Sequence, residues 1–430
     1  MITAEIIAIG SELLLGGRPD TNSVFLSELL APHGIEVRFK SVVGDDVGNI
    51  CQSLTVAARR AKVVLVTGGL GPTADDLARE AVSKVMGREL RRRDKAWQAI
   101  KDRFLRQGRT LTKNQHRQAF LPMGADYLHN SVGTAPGFSL KWKGSRFFCL
   151  PGVSHEARRM FCEGVLPILS KEGYVNSPIR TRAIHTFGLI EGVVDEYIAD
   201  FVPTSGSIRV GLLASPLGVS VSLTEFPLYK RQKRIGRVEK SDQMKSNERL
   251  EVLLEKISTK LQNNVYGYDD EKMEEVVGKK LMASGLTISL AESCTGGLIG
   301  HRLTQVPGSS AYLDRGVICY SNQSKIDLLH VSPSFLRQYG AVSAQVARAM
   351  AQGIRKGSTA DLGLSVTGIA GPTGGTSEKP VGLVYVGLST PEGVFVKEFQ
   401  FHGDREMVKL RSSQGALDMV RRYLSDLSVQ

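Results

Sequence analysis

The sequence predicts an α/β protein built from two α/β domains that a small α+β module joins. Apolar, strand-sized runs alternate with helical patterns over about the first 165 residues, and the same alternation returns from Val265. The intervening residues 178–226 differ, with three strand patterns and one helical segment. The length of 430 residues also exceeds the roughly 250–300 residues beyond which one core usually divides. We therefore expect domains at 1–170, 171–262 and 263–430.

The first domain shows strand–loop–helix units in series. The predicted elements are a strand at 4–9, a capped helix at 20–32, strands at 35–43 and 62–66, a helix at 74–86, and a strand at 147–150 followed by a helix through residue 161. The third strand ends in the glycine-rich loop 67–73. This alternation favours a parallel, doubly wound sheet, which binds ligands at the carboxyl ends of its strands.

The remaining elements follow in two groups. The module is predicted to contain strands at 181–186, 208–213 and 219–224, a helix at 191–201, a polar linker at 230–247 and a helix at 248–261. The last domain is predicted to contain helices at 269–283, 343–355 and 404–427, and strands at 287–291, 316–320, 362–366, 381–388 and 394–401. Loops 291–297 and 367–375 each follow one of these strands, so they belong to the ligand-binding edge.

Composition excludes several classes of protein. Apolar residues make up 42% and charged residues 23%, which is typical of globular proteins and not of disorder. No uncharged apolar run reaches about 18 residues, so we expect no membrane-spanning helix. The N-terminus lacks the basic region of a signal peptide. Five scattered cysteines without a CxxC pair argue against a disulfide framework or a zinc site, and they fit the reducing cytoplasm.

The net charge of +12 raises the question of nucleic-acid binding. The excess is concentrated in residues 88–117, with eleven Lys or Arg, and in residues 230–240. Neither run is interleaved with aromatic residues beyond isolated ones, so neither resembles a nucleic-acid module. Solvated basic helix faces are the simplest interpretation, and attraction of phosphate-bearing small molecules is the next.

Residues 291–297, Ala-Glu-Ser-Cys-Thr-Gly-Gly, are the strongest local signal. A hydroxyl, a thiol and two glycines lie where a strand ends and a helix begins. Free N–H groups at such a turn can receive an oxyanion or a phosphate. The same pattern also fits an ordinary helix cap, and we weigh the two interpretations about equally from spacing alone.

Ser293 needs a base to become a nucleophile. No histidine lies in the loops of this domain with a clear acidic partner, whereas a partly desolvated lysine can replace histidine. Lys325 follows a predicted strand, so Tyr320 and Lys325 can project toward the same sheet edge as Ser293. A plain surface lysine is the competing interpretation. Cys294 is chemically an obvious nucleophile at the start of a helix, although it too lacks a histidine partner.

Loop 367–375, Thr-Gly-Ile-Ala-Gly-Pro-Thr-Gly-Gly, follows another strand. Its backbone N–H groups can wrap a phosphate or a ribose, although it contains no Gly-Lys-Ser/Thr and is not a P-loop. Arg405 and Arg411 supply cations near the start of the last helix, and arginine pairs well with phosphate.

In the first domain, acidic residues cluster at predicted strand ends and helix starts. Asp75 and Asp76 follow the glycine-rich loop, and Glu12 and Glu156 occupy comparable positions. Oxygen ligands of this kind suit Mg²⁺ or Mn²⁺ beside a pyrophosphate. Helix capping is the alternative role for each of them.

The whole chain resembles the CinA family of competence/damage-inducible proteins. The motifs that carry this resemblance are residues 10–14, 20–22, 66–73, 75–76, 132–137, 150–153, 182–188, 211–214, 291–297, 320–325, 340–343, 367–375, 379–382 and 403–405. The first domain is similar to molybdopterin-binding-like domains, the module to KH-like modules and the last domain to nicotinamide mononucleotide deamidases. The chain departs from the family at 154–156, where Ser-His-Glu replaces the common Pro-Ser-Glu but retains Glu156.

The resemblance implies two activities in pyridine-nucleotide recycling. The last domain would hydrolyse the amide of nicotinamide mononucleotide without a cofactor, with Ser293 as nucleophile, Lys325 as base and Tyr320 as a supporting hydroxyl. Its substrate-binding residues would be Thr295, Gly296, Gly297, Asn322, Thr367, Gly368, Ile369, Ala370, Gly371, Arg405 and Arg411.

The first domain would hydrolyse ADP-ribose to AMP and ribose 5-phosphate. The implied nucleotide site comprises Asn22, Thr67, Gly68, Gly69, Gly71 and Asn114. A divalent metal such as Mg²⁺ would bind Glu12, Asp75, Asp76 and Glu156. The resemblance further implies a cytoplasmic homodimer with no membrane partner, and nucleic acid is not an expected partner.

Two other classes of function stay open from the sequence. The first domain could be a pterin- or nucleotide-binding module without catalysis, because its wider fold includes molybdenum-cofactor proteins. The chain could also be a DNA-linked competence factor, for which the basic run at 88–117 is the sequence support.

Overall fold

The structure, a computed structural model, describes residues 2–203, 206–227 and 240–427, with side chains described from residue 249 in the last range. The described chain forms two compact units. The first contains residues 2–180 with 225–227, and the second contains residues 181–224 and 240–427, apart from 204 and 205. Of the predicted middle module, residues 181–203, 206–224 and 240–262 therefore belong to the same compact unit as the predicted last domain, whereas residues 171–180 and 225–227 belong to the first unit. The KH-like assignment stays a prediction.

The first unit is a mixed sheet with helices on both faces. Its strands are β1 Ile2–Ile9, β2 Ile35–Val43, β3 Val63–Thr67, β4 Leu90–Arg92, β5 Phe120–Pro122, β6 Asp126–Leu128, β7 Gly137–Trp142 and β8 Ser145–Leu150. Its α-helices are α1 Ser11–Leu14, α2 Thr21–Leu30, α3 Val47–Arg60, α4 Ala78–Met86, α5 Asp94–Arg106, α6 Ser154–Met160 and α7 Leu166–Lys171, with a π-helical segment at Phe161–Val165.

The main sheet of this unit has the strand order β2-β1-β3-β8-β7-β6. Strands β2, β1, β3 and β8 are parallel, as the sequence predicts. Strands β7 and β6 were not predicted from the sequence, and the pairs β8–β7 and β7–β6 are antiparallel. Strands β7 and β8 are joined by a two-residue turn at Lys143 and Gly144, where both residues have positive φ and close a tight hairpin.

The basic run at 88–117 contains β4 and helix α5, and β4 pairs with β5, which follows the run, in a small two-stranded sheet. Many of its cations, including Lys95, Arg106 and Arg109, are exposed. This part of the chain therefore matches the prediction of solvated basic helix faces. The second basic run, residues 230–240, and most of the predicted linker lie outside the described residues or their described side chains.

The second unit contains two sheets. Its strands are β9 Arg180–Thr186, β10 Ile208–Ser215, β11 Gly218–Glu225, β12 Val265–Tyr268, β13 Ile288–Glu292, β14 Leu313–Ile318, β15 Leu362–Gly368, β16 Leu383–Ser389 and β17 Val394–Gln400. Its α-helices are α8 Glu191–Ile198, α9 Lys240–Leu261, α10 Met273–Ser284, α11 Leu298–Thr304, α12 Asn322–Leu329, α13 Pro333–Tyr339, α14 Ala344–Lys356 and α15 Arg405–Leu427.

The smaller sheet has the order β10-β11-β9-β12, and the larger has the order β14-β13-β15-β16-β17. Strands β14, β13 and β15 are parallel, β16 runs antiparallel to β15, and β17 runs antiparallel to β16. The buried central strands β13 and β15 lie between helices that include α11, α14 and α15. The carboxyl ends of β13, β14 and β15 therefore meet at one edge, where loops 293–297, 319–321 and 369–382 begin.

Candidate active sites

The second unit brings Ser293 and Lys325 into direct contact. Lys325 Nζ lies 3.0 Å from Ser293 Oγ. Ser293 immediately follows β13, and its backbone N–H donates to Val366 O in β15 at 3.0 Å, which fixes the start of the turn. Only 1% of Lys325 and 8% of Ser293 are exposed. The pairing that the sequence predicts across 32 positions is therefore formed by the parallel sheet and the start of α12.

The other partners of Lys325 fix its protonation chemistry. Its Nζ also donates to Cys319 O at 2.7 Å and to Tyr320 O at 3.2 Å. Burial lowers the pKa of Lys325 below its ordinary value of 10.5. A neutral amine has two N–H groups and one lone pair. The two carbonyls can accept both N–H groups, which leaves the lone pair available for the hydroxyl proton of Ser293.

Cys294 is in a poor environment for a thiolate. The side chain is buried, and burial raises the pKa of its thiol to about 12. A thiol with this pKa is almost entirely protonated near neutral pH, and the thiolate is the nucleophilic form. The geometry therefore favours Ser293 over Cys294 as the nucleophile.

A carboxylate occupies the start of helix α11. The buried Glu292 side chain accepts from the backbone N–H groups of Gly297 at 3.0 Å, Ile299 at 3.1 Å and Gly300 at 2.8 Å. These three amides therefore already have an anionic acceptor that the protein supplies, which agrees with the helix-cap interpretation for this part of the turn. Gly296 and Gly297 have φ of 62° and 94°, so glycine is required for this turn.

Tyr320 and Arg405 lie together at the rim of the site. Arg405 donates to the Tyr320 hydroxyl at 2.9 Å and to Gly371 O at 2.8 Å. Arg405 thereby connects the loop after β14 to the loop after β15. Near the end of β15, the buried Thr367 hydroxyl donates to Ala341 O at 2.8 Å, so Thr367 is held within the protein.

The other predicted substrate-binding residues have varied surroundings. Thr295 is fully buried, and its hydroxyl has no partner within the described chain. Asn322 is exposed in the first turn of α12. Arg411 donates to His402 O, which gives its guanidinium an internal partner. Gly368 is the last residue of β15, and Ile369 and Ala370 begin the loop that follows it. The Ile369 N–H donates to Leu383 O at 2.9 Å.

Sequence reasoning did not single out Lys409, which lies next to turn 293–297. A Cβ atom built on Gly296 would lie 3.7 Å from Lys409 Nζ. Lys409 lies four residues after Arg405 on α15, so both side chains occupy neighbouring positions on one helix face. That spacing is the signal that could have identified it.

The first unit has a cavity of about 640 Å³ at the carboxyl ends of its strands. The cavity includes the predicted residues Asn22, Thr67, Gly68, Gly69 and Gly71 in its lining. Asn22 Nδ2 donates to Thr67 Oγ1 at 2.8 Å and to Gly152 O at 2.7 Å. These bonds hold the glycine-rich loop against the loop that follows β8, and so they support the predicted ligand site.

The four predicted metal ligands all line this cavity. Asp76 accepts from the backbone N–H groups of Gly71 at 2.7 Å and Thr73 at 2.8 Å, so it holds its own loop. Glu156 accepts from Asn130 Nδ2 at 2.7 Å. Glu12 and Asp75 are exposed.

Over the described residues, no three His, Cys, Asp or Glu side chains form a group that could hold a metal ion. A cage made only of protein ligands does not fit these residues. Mg²⁺, however, is usually held by one or two carboxylates with phosphate oxygens and water. Glu12 and Asp75 are exposed carboxylates in the cavity lining, so they fit the role of one or two carboxylate ligands beside phosphate and water.

The structure places Asn114 away from the cavity and brings Gln118 to it. Asn114 is exposed and is not among the lining residues. Gln118 does line the cavity, with 1% of its surface exposed, and its Oε1 has no partner among the described residues. Both residues belong to the seven-residue 3₁₀ segment Lys113–Ala119, four positions apart. An exposed polar run gave no sequence signal for which amide would turn inward.

The fold and sites define a class: a two-unit α/β protein with a nucleotide-sized cavity in one unit and a Ser–Lys pair in the other. Residues 5–171 match the family model described as "Probable molybdopterin binding domain", and residues 270–424 match "CinA C-terminal domain". The chain belongs to the CinA family of competence/damage-inducible proteins.

Full-length relatives agree with this assignment. The "Putative competence-damage inducible protein" of Caldicellulosiruptor saccharolyticus is 39% identical over 421 residues, covering 98% of this chain and 99% of the relative. A relative of the same name from Caldanaerobacter subterraneus subsp. tengcongensis is 41% identical over 423 residues, covering 98% of each. The solved competence/damage inducible protein CihA from Agrobacterium tumefaciens is 40% identical, covers 36% of this chain and 97% of its own, and has a TM-score of 0.34.

No helix within the described ranges is both long and apolar enough to cross a membrane.

Proposed function

We propose that the second unit hydrolyses the carboxamide of nicotinamide mononucleotide to nicotinate mononucleotide and ammonia. The observation that carries this proposal is the buried contact between Lys325 Nζ and Ser293 Oγ, at 3.0 Å. A lysine with a lowered pKa can act as a base near neutral pH. Amide hydrolysis needs such a base to activate a serine.

The reaction proceeds in two halves. Neutral Lys325 accepts the Ser293 hydroxyl proton as Oγ attacks the carboxamide carbon, and the protonated lysine then gives a proton to the leaving nitrogen, which departs as ammonia. Water, deprotonated by Lys325, attacks the resulting Ser293 ester. The protonated lysine then returns its proton to Ser293 Oγ as the ester bond breaks, which releases the carboxylic acid product and restores the neutral amine. Cys319 O and Tyr320 O hold the amine in position throughout, because they accept its two N–H groups.

A coupled ammonia assay with nicotinamide mononucleotide tests this function. The wild-type protein should release ammonia and form nicotinate mononucleotide, and Ser293→Ala should lose this activity by orders of magnitude. Folding of the variant is checked by its thermal midpoint. Absence of ammonia release by the folded wild-type protein would refute the proposed substrate.

We also propose that the first unit hydrolyses the pyrophosphate of ADP-ribose with a divalent metal. The 640 Å³ cavity beside a glycine-rich loop supports this proposal. Its volume suits a nucleotide-sized ligand. Glu12 and Asp75 would hold the metal, which would supply a Lewis acid for the pyrophosphate. Asn22, fixed by Thr67 and Gly152, would keep the phosphate-binding loop in place.

The second activity is separable from the first by experiment. Full-length Ser293→Ala should hydrolyse ADP-ribose in the presence of Mg²⁺ or Mn²⁺ and stop when the metal is chelated. Binding of ADP-ribose without turnover would instead support a non-catalytic nucleotide-binding module. Salt-dependent binding to duplex DNA would support the DNA-linked alternative. A cytoplasmic location and a homodimeric state are part of the same proposal. The homodimer is testable by analytical sedimentation.

A further inference from the structure

Lys409 lies beside turn 293–297 and has no counter-ion among the residues that the structure describes. Its Nζ is the nearest atom to the open space at Gly296, at 3.7 Å from the position of an added Cβ. The residue is half-buried, and among the described residues it forms no ion pair or hydrogen bond through Nζ. A partly desolvated ammonium without acceptors is unfavourable, so this position suits an anionic ligand.

Several other candidate anion-binding groups around the turn already have acceptors among the described residues. The Glu292 carboxylate takes three N–H groups at the start of α11. Arg405 donates to Tyr320 and to Gly371, and Arg411 donates to His402 O. Lys409 therefore differs from the two arginines of the same helix, because all of its N–H groups remain available.

We propose that Lys409 binds the phosphate of the mononucleotide substrate over Gly296, and that Arg405 acts mainly by holding Tyr320 and the loop after β15. This inference rests on the proposed amidase function. Gly296 leaves the space between the ammonium and the turn open, since it carries no side chain. A phosphate would then lie on one side of the turn while the carboxamide lies at Ser293. Lys409 is thus a specificity-determining residue that favours phosphorylated over unphosphorylated substrates.

The kinetic test compares Lys409→Gln with the matched control Lys356→Gln. Lys356 is an exposed lysine at the end of α14. We expect Lys409→Gln to raise the KM for nicotinamide mononucleotide about tenfold or more. The variant should leave kcat/KM for nicotinamide riboside unchanged, because the riboside has no phosphate. Lys409→Arg should restore most of the affinity. An unchanged KM for the mononucleotide, or an equal loss with the riboside, would overturn the inference.

A binding test distinguishes this inference from the proposed reaction. Ribose 5-phosphate and inorganic phosphate are titrated calorimetrically into the Ser293→Ala protein with and without Lys409→Gln. Loss of one binding component on the Lys409 change supports the phosphate site even if nicotinamide mononucleotide proves not to be the substrate. Identical isotherms for the two proteins would refute the phosphate site while leaving the amidase proposal intact.

Discussion

Replacing Lys325 with Met tests the chemistry of the Ser–Lys pair most directly. Methionine keeps an unbranched side chain in the buried site but removes the amine. Ser293 then loses its base, and the carbonyl groups of Cys319 and Tyr320 lose their donor. A general base contributes about 10²–10⁴-fold to a rate, equivalent to about 3–5 kcal/mol of transition-state stabilisation. We expect ammonia release to fall by at least that factor.

The same substitution should change how stability depends on pH. The pKa of Lys325 is lowered by burial from its ordinary value of 10.5. Between the folded-state pKa and 10.5, the unfolded chain binds more protons than the folded chain. The free energy of unfolding of the wild type therefore rises with pH across that window, by up to about 1.4 kcal/mol per pH unit. The Met variant lacks this contribution.

Urea unfolding of both proteins near neutral pH and at about pH 9.5 measures the difference. The stability of the wild type relative to Lys325→Met should increase toward the higher pH. The loss of a hydrogen-bond donor to each of the two carbonyl groups costs about 1–3 kcal/mol of the free energy of unfolding. This cost is the same at both pH values, so it does not affect the slope. Parallel stabilities at the two pH values, or substantial amidase activity in Lys325→Met, would refute the reasoning. Lys325→Arg is the companion control and should be inactive, since its guanidinium stays protonated.

Three further predictions concern neighbouring groups. Cys294→Ala should keep most of the amidase activity and Ser293→Ala should lose it in the ammonia assay, because the Cys294 thiol is buried with a pKa of about 12; the reverse result would require a cysteine mechanism. Asp76→Asn should lower the free energy of unfolding in urea by about 1–3 kcal/mol and also reduce ADP-ribose hydrolysis, because the Asp76 carboxylate holds its own loop. Asp75→Asn should reduce hydrolysis alone, because Asp75 is exposed. Equal destabilisation by the two variants would contradict the loop-holding role of Asp76. Arg405→Ala should raise KM and lower kcat for nicotinamide mononucleotide, because it releases the Tyr320 hydroxyl; a pure KM effect would contradict that role.

The bounds of helices and strands were predicted best where the apolar pattern ends at a residue that favours a turn. The strand at 35–43 matches β2 in both bounds, because its apolar pattern is flanked by glycines at 34 and 44. The helix predicted from residue 74 begins instead at Ala78. The intervening residues form a loop because the Asp76 carboxylate accepts from backbone N–H groups, which competes with helix formation.

The candidate sites were predictable to the extent that parallel strands determine them. Ser293 and Lys325 could be paired because both follow neighbouring strands whose carboxyl ends meet at one edge. The role of Glu292 as the cap of α11 could not be read from the chain, since a buried acid beside a serine fits several roles. Lys409 is contributed by a helix more than 100 residues away in sequence, so only the folded structure brings it to the turn.

The Ser–Lys pair lies at the end of the pairing between β13 and the edge strand β14 in the larger sheet. Ser293 follows β13, whereas Lys325 is held by carbonyls just after β14, the edge strand. The hydrogen bond from Cys319 N–H to Glu292 O, at 2.9 Å, continues this pairing up to the residue before Ser293. Edge strands open at lower free energy than sheet interiors. If the second unit is an amidase as proposed, its activity depends on β14 staying paired with β13. That activity should then disappear at a lower urea concentration than the global unfolding signal.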